Sequence, residues 1–191
     1  MWIKNRKNSG FKPKFLVYVC CIEQPLHIET NLHQIASLSH INDADNHRFI
    51  SFLKLQNTTL VDEKVQELNE VITPQIDCKD CGNCCKSLMI NVTDAEANAV
   101  AAHLQLQRND FDMQFIEKGS AGTLLINSIP CPFLNNTQCS IYEQRFQGCS
   151  EFPGLHVPGF SKRTFTTFMH YNRCPIIFNV VEHLKPALNF V

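Results

Sequence analysis

From residue 30 onward, apolar and polar positions alternate with the period of an α-helix. Leu32, Ile35, Ala36 and Leu38 fall on one face. After the polar break Asn42-Asp43-Ala44-Asp45-Asn46, the residues Phe49, Ile50, Phe52 and Leu53 make a second face, so 30–56 is predicted helical with an interruption. Asn57-Thr58-Thr59 ends that segment and starts the next. Thr59 is expected to cap the following helix, and Asp62 and Glu63 suit its first turn. Leu60 or Val61, then Val65, Leu68 and Ile72, form its stripe until Pro74 stops it.

The second half is more broken. Thr93-Asp94-Ala95-Glu96 reads as a capping box opening an alanine-rich helix to about Leu106. A short helix over 111–118 is expected to close on Gly119, and 123–127 predicts a strand. Asn135-Asn136-Thr137-Gln138 reads as a turn between 131–134 and 139–142, giving a small hairpin. Pro153, Gly154, Pro158 and Gly159 predict a long loop. Pro175 suits the first turn of a last helix over 176–185, which Pro186 terminates.

Residues 1–28 differ from the rest. Lys4, Arg6, Lys7, Lys12 and Lys14 precede an apolar run over 15–22, which imitates a signal peptide. The run is only eight residues long, and Glu23-Gln24-Pro25 follows with no small-residue cleavage site. The segment is therefore read as a flexible N-terminal extension of a domain over 29–191, and Cys20 and Cys21 are left out of the site.

Composition narrows the class. A chain of 191 residues that is 44% hydrophobic and 18% charged can bury the core of one domain. A formal net charge of -1 gives no electrostatic reason to expect a nucleic acid. No apolar run approaches the roughly 18 residues of a membrane span, so no membrane is expected either.

The chemistry lies in the cysteines. Cys78, Cys81, Cys84 and Cys85 stand in the spacing C-x2-C-x2-C-C, and Cys131, Cys139, Cys149 and Cys174 follow. Disulfide frameworks spread their cysteines, whereas closely repeated C-x2-C spacings concentrate ligands, so the pattern points to metal. Thiolates are soft ligands that select zinc, copper(I) or iron–sulfur clusters. Gly82-Asn83 suits a turn between ligands. On a helix the same four cysteines would fall at about 0°, 300°, 240° and 340°, one face about 120° wide, so either backbone gathers the sulfurs.

Cys131-Pro132 and Cys174-Pro175 are cysteine–proline pairs of the kind that complete iron–sulfur sites. Adjacent Cys84 and Cys85 start from Cα atoms about 3.8 Å apart. Turning one of them toward a second metal, or letting it bridge, relieves very tight rings, so the distal cysteines are expected to share in the site. A four-thiolate zinc or [4Fe–4S] centre carries about -2, and Lys79, Lys86, Arg145 and Arg173 lie close enough in sequence to compensate. Arg145 is the leading buried partner. Of the eight histidines only His156 and His170 flank cysteines closely, and no nucleotide-binding or Ser/His/Asp signature is present.

The run Cys78-x2-Cys81-x2-Cys84-Cys85, then Cys131-Pro132-Phe133-Leu134, Cys139-Ser140-Ile141-Tyr142-Glu143, Arg145-x3-Cys149-x2-Phe152-Pro153 and Cys174-Pro175, resembles the YkgJ-type cysteine-cluster family, the CxxCxxCC zinc- or iron-chelating domain. The resemblance covers about residues 76–178. It implies a bacterial, cytoplasmic protein in which all eight of these cysteines serve a zinc or iron–sulfur centre. Two positions depart from the pattern. Phe146 stands where members often have proline, and Ser150 where they often have arginine.

The expectation is thus a small, mainly helical α+β single domain with a short β-hairpin carrying Cys131 and Cys139, organised around a cysteine-ligated metal centre. Its function is read as metal binding, with a protein or small-molecule partner that the sequence does not name. Two rival readings are an enzyme related to flagellin lysine methylases, whose S-adenosylmethionine site is not recognisable here, and a disulfide-stapled interaction module.

Overall fold

A computed structural model describes residues 26–191. Of the expected extension over 1–28, residues 1–25, with Cys20 and Cys21, lie outside them. Leu26 and Ile28 pack against the main core, and the buried Asn179 amide holds Glu29 by its N–H at 2.9 Å and its carbonyl at 2.8 Å.

The first half is helical, as the periodicity requires. Helix α1 (Leu32–Ile41) is capped by Asn31, whose side chain accepts from the His33 and Gln34 N–H groups. Helix α2 (Asp43–Leu53) follows directly. Helix α3 (Thr58–Ile72) buries Val61, Val65, Leu68 and Ile72 and leaves Leu60 largely exposed. Its cap is Asn57 rather than Thr59. The Asn57 carboxamide reaches both the Thr59 and Leu60 N–H groups, so Thr59 falls inside the helix. Asp62 also differs from expectation. Its two oxygens accept from the Gly159 and Phe160 N–H groups at 2.7 and 2.9 Å, tying a distant loop onto α3.

The cysteine run forms a single helical turn, α4 (Cys78–Cys81), broken by Gly82 in the left-handed region at φ 55° and followed by a 3-10 turn over Cys84–Lys86. The two backbones entertained from sequence thus occur in succession. Strand β1 (Asn91–Val92) precedes helix α5 (Asp94–His103), which opens with the expected Thr93/Glu96 capping box.

Helix α6 (Arg108–Phe115) starts earlier than expected and stops at Phe115. Residues 116–118, expected as helix, form strand β2 (Ile116–Lys118), because Ile116 pairs with Ile126 of strand β3 (Leu124–Ile126) and extends the apolar sheet face. The antiparallel sheet has the order β1-β3-β2. A two-stranded hairpin, β4 (Leu134–Asn135) and β5 (Gln138–Cys139), carries Cys139 opposite Leu134; Cys131 lies just ahead of it. Short helix α7 (Gln147–Glu151) holds Cys149. The expected loop after Pro153 also contains helix α8 (Thr164–Met169). Helix α9 (Pro175–Ala187) is buried on most of its surface and includes Pro186 in its last turn.

These elements build two apolar clusters. One joins α1, α2, α3 and α9 with Leu155, Phe160 and Tyr171. The other joins α5, Phe111, β3, Phe133, Ile141 and Phe146. The cysteine run lies between them in the chain. Cys174 belongs to the first cluster, while Cys131, Cys139 and Cys149 pack against the second. No helix among the described residues is long and apolar enough to cross a membrane.

A polar network closes the first cluster. Buried Lys185 meets Asp45 at 3.0 Å and Glu182 at 2.7 Å. Tyr171 donates its hydroxyl to Glu182 at 2.7 Å, and Asn42 donates to both, at 3.1 Å each. Burial pushes the Tyr171 hydroxyl well above the ordinary phenol range. Replacing Lys185 by methionine leaves Glu182 without a cationic partner among the described residues and Asp45 with Arg48 alone. The Lys185→Met variant is expected to lose about 3 kcal/mol, a fall of roughly 6–12 °C in melting temperature. A melting curve superimposable on the parent's would remove the network from the list of stabilising contacts.

Gly82 generates a second prediction. A Cβ there would stand 2.6 Å from the Thr137 carbonyl oxygen and 2.9 Å from the Thr137 Cα, both backbone atoms of the β4–β5 turn. Gly122 also has a positive φ, of 77°, but a Cβ there meets nothing within 4 Å. Gly122→Ala should cost about 1 kcal/mol for conformation alone. Gly82→Ala should cost clearly more, because the turn must also retreat. Denaturant titration of the two metal-free variants compares them; equal losses would mean that the cysteine run does not dock closely on the hairpin.

Candidate metal centre

All eight cysteines over 78–174 are free thiols. They surround two adjoining cavities. Cys78, Cys81, Cys84 and Cys174 line the first, with walls of Ile76, Phe152, Pro175 and Ile176. Cys85, Cys131, Cys139 and Cys149 line the second, together with Cys78 and Cys84, over a floor of Phe133, Ile141 and Phe146. The cavities share Cys78, Cys84 and Phe152, and the sulfurs of Cys84 and its neighbour Cys85 are 3.9 Å apart. Among the described residues, no three His, Cys, Asp or Glu side chains converge on one point; the thiols stand around the cavities rather than closed upon a centre.

Local backbone explains each position. The helical turn of α4 places Cys78 and Cys81 one turn apart, and Gly82 then reverses the chain so that Cys84 and Cys85 enter from the other side. The Asn83 amide donates to the Arg173 carbonyl at 2.8 Å, fastening this loop to the residue before Cys174. The Cys131 N–H donates to the Cys85 carbonyl at 2.8 Å, fastening it on the other side to the distal cysteines. Cys174 precedes Pro175 at the N-terminus of α9, where the helix dipole favours an anion.

The electrostatics oppose free thiolates. Burial pushes the Cys78 and Cys131 thiols up, as it does that of Cys139, and neighbouring thiols add to the effect. Cys149 and Cys174, also raised chiefly by burial, reach about 12. Backbone N–H groups act in the opposite sense. Those of Phe133 and Leu134 favour the Cys131 thiolate, that of Ile141 favours Cys139, and those of Ile177 and Ile176 favour Cys174. Cys84 and Cys85 titrate as a pair. Their mutual hydrogen bond brings Cys85 down to about 7 and pushes Cys84 up, so the pair gives its first proton readily and its second reluctantly.

Of the four candidate cations, Lys79 and Arg145 line the second cavity and Arg173 the first. Lys86 is exposed and lines neither. Arg145 acts on Cys78, Cys139 and Cys149, in each case favouring the thiolate. The two flanking histidines do not join the site. His156 lies in a separate groove with Asp62 and Glu67, and His170 sets its ring edge against Phe152 at 5.3 Å. Burial and the nearby Arg173 hold the His170 imidazolium below the usual range.

Sequence reasoning missed Tyr142, whose ring carries both cations, Arg145 at 4.0 Å and Lys79 at 4.4 Å from its centroid. The signal available was its place in Cys139-Ser140-Ile141-Tyr142 beside the ligand candidates, but nothing in that spacing specifies a cation platform.

The residues present fit a thiolate-bound group. Eight soft donors face two partly apolar cavities, with backbone N–H groups and unpaired cations placed to offset their charge. No curated protein and no solved structure matches the chain. A family model described as "CxxCxxCC: Putative zinc- or iron-chelating domain" matches residues 77–174, about half of the chain and all eight of these cysteines. By that match over half of its length, the chain belongs to the CxxCxxCC family.

Proposed function

We propose that the protein binds metal on two adjoining sets of four thiolates, Cys78, Cys81, Cys84 and Cys174 in one and Cys85, Cys131, Cys139 and Cys149 in the other. Each set would hold a zinc ion or an iron–sulfur cluster, which supplies a Lewis-acid or electron-transfer centre according to its identity. The observation that carries the reading is a pair of thiol-lined cavities that adjoin at Cys78 and Cys84, with Cys85 lining the second alone. Cys78 and Cys84 line both cavities, but Cys81 and Cys174 line only the first. Assigning Cys78 and Cys84 to that side completes a closed four-thiolate set on each side. The C-terminal side chain of the run, Cys85, then turns to the distal group.

In such an arrangement the chain's own residues do three things. Gly82 and the Asn83–Arg173 hydrogen bond orient the run so that neighbouring cysteines diverge. Phe133, Ile141 and Phe146 keep water from the floor of the second cavity. The N–H groups at Phe133, Ile141 and Ile176 favour thiolate over thiol at three of the sulfurs.

Two predictions follow from this partition. Cys174→Ser and Cys149→Ser should each lose about half of the metal bound by protein purified without oxygen, and Cys84→Ser should also lower its melting temperature. Elemental analysis and thermal melting measure both. Unchanged metal content in all three variants would defeat the assignment.

The second prediction concerns protons. Five of the thiols are raised by burial and enter binding protonated, so each must release a proton when it becomes a ligand. Raising the pH removes the competing protons, and apparent zinc affinity should climb. The expected gain is at least tenfold between about pH 6 and about pH 8, with acid released on titration in weak buffer. An affinity flat across that range would contradict thiol ligation.

A further inference from the structure

Two centres of about -2 each, built from adjoining thiolate sets, would repel each other strongly in a partly buried site. Among the described residues two cations, Lys79 and Arg145, line the cavity that Cys78 and Cys84 share with Cys85, Cys131, Cys139 and Cys149. Arg145 is half-buried and lines the second cavity with Cys78, Cys139 and Cys149. Its guanidinium donates to the Tyr142 carbonyl at 3.0 Å and stacks over the Tyr142 ring at 4.0 Å. Lys79, one residue from Cys78, sits over the same ring at 4.4 Å. Neither cation forms an ion pair with a carboxylate among the described residues, whereas Arg48, Lys64, Arg108 and Lys185 all do.

Two cations gathered on one aromatic ring repel each other, and without carboxylate partners that placement needs an anion elsewhere. Thiolates formed when metal binds would supply it. Cys78 belongs to one proposed set, and Cys139 and Cys149 to the other. We propose that Arg145, held in place by Tyr142, is the shared counter-charge of the two thiolate sets and couples their metal occupancy. It acts as a positioning and charge-compensating residue, not as a ligand. With Arg145 present, filling one set penalises the other little. Without it, the second metal enters against the full charge of the first.

The inference rests on the two-set reading, and stepwise zinc titration against a competing chelator separates the two. In the wild-type chain, two zinc equivalents should bind with similar affinities. In Arg145→Met the first affinity should fall modestly and the second by about tenfold or more, and added salt should narrow the gap. Arg145→Lys keeps the charge and should recover most of the second affinity. A loss caused only by disturbed folding would weaken both steps alike, would not respond to salt, and would not be rescued by lysine; that pattern overturns the proposal, as does wild-type stepwise behaviour in Arg145→Met. Should Arg145→Met not fold, the exposed Lys79→Met variant makes the same comparison, with a smaller but salt-sensitive separation of the two steps expected and none overturning the proposal. A wild-type chain that takes up no zinc overturns the two-set reading itself, and this inference with it.

Discussion

Adjacent residues cannot easily serve one small site, and Cys84 next to Cys85 sets the terms for everything around it. Their sulfurs are 3.9 Å apart, and Cys84 lines both cavities while Cys85 lines the second alone. Gly82 is the hinge that permits this, since only its left-handed φ and missing side chain let the run lie against the Thr137 backbone. The two apolar clusters then have a common border. Cys174 enters from the α9 side and Cys131, Cys139 and Cys149 from the sheet side. A metal held across such contacts joins segments far apart in sequence, so its binding energy becomes folding energy.

That gain is set against a large electrostatic cost. Burial opposes ionisation of the thiols, and each thiolate formed makes the next harder to form. The fold offsets this locally rather than with one deep ion pair. Backbone N–H groups sit beside Cys131, Cys139 and Cys174, the α9 terminus backs Cys174, and cations stand on Tyr142 and at Arg173. None of these devices is strong alone. Together they offset part of the charge that eight thiolates would bring.

Much of this was legible beforehand, and what was not has particular causes. The α3 stripe, the Thr93 capping box and Pro175 at the start of α9 follow rules that act within one turn of helix, and they hold. Helix α8 was missed because Thr-Phe-Thr-Thr-Phe-Met carries three β-branched residues, and it buries Thr164 and Thr167 while leaving Phe165 and Met169 exposed. Strand β2 was missed because its pairing with β3 is invisible in a window that continues the α6 period. Asn57 and Thr59 competed for one cap, and the longer carboxamide reached two N–H groups. At the site, the concentration of thiols could be read from spacing. The pairing of Lys79 with Arg145 on Tyr142 could not, since those cations are brought together by the docking of α4 on the hairpin.

X-ray absorption at the metal edge, on wild-type protein purified without oxygen, tests the two-set arrangement most directly. Two closed four-thiolate sets require a ligand shell of four sulfurs at about 2.3 Å, without nitrogen or protein oxygen. A metal–metal distance would mark iron–sulfur clusters and its absence isolated zinc ions. A shell containing imidazole or carboxylate ligands, or fewer than four sulfurs per metal, would contradict the assignment of all eight cysteines to two such sets.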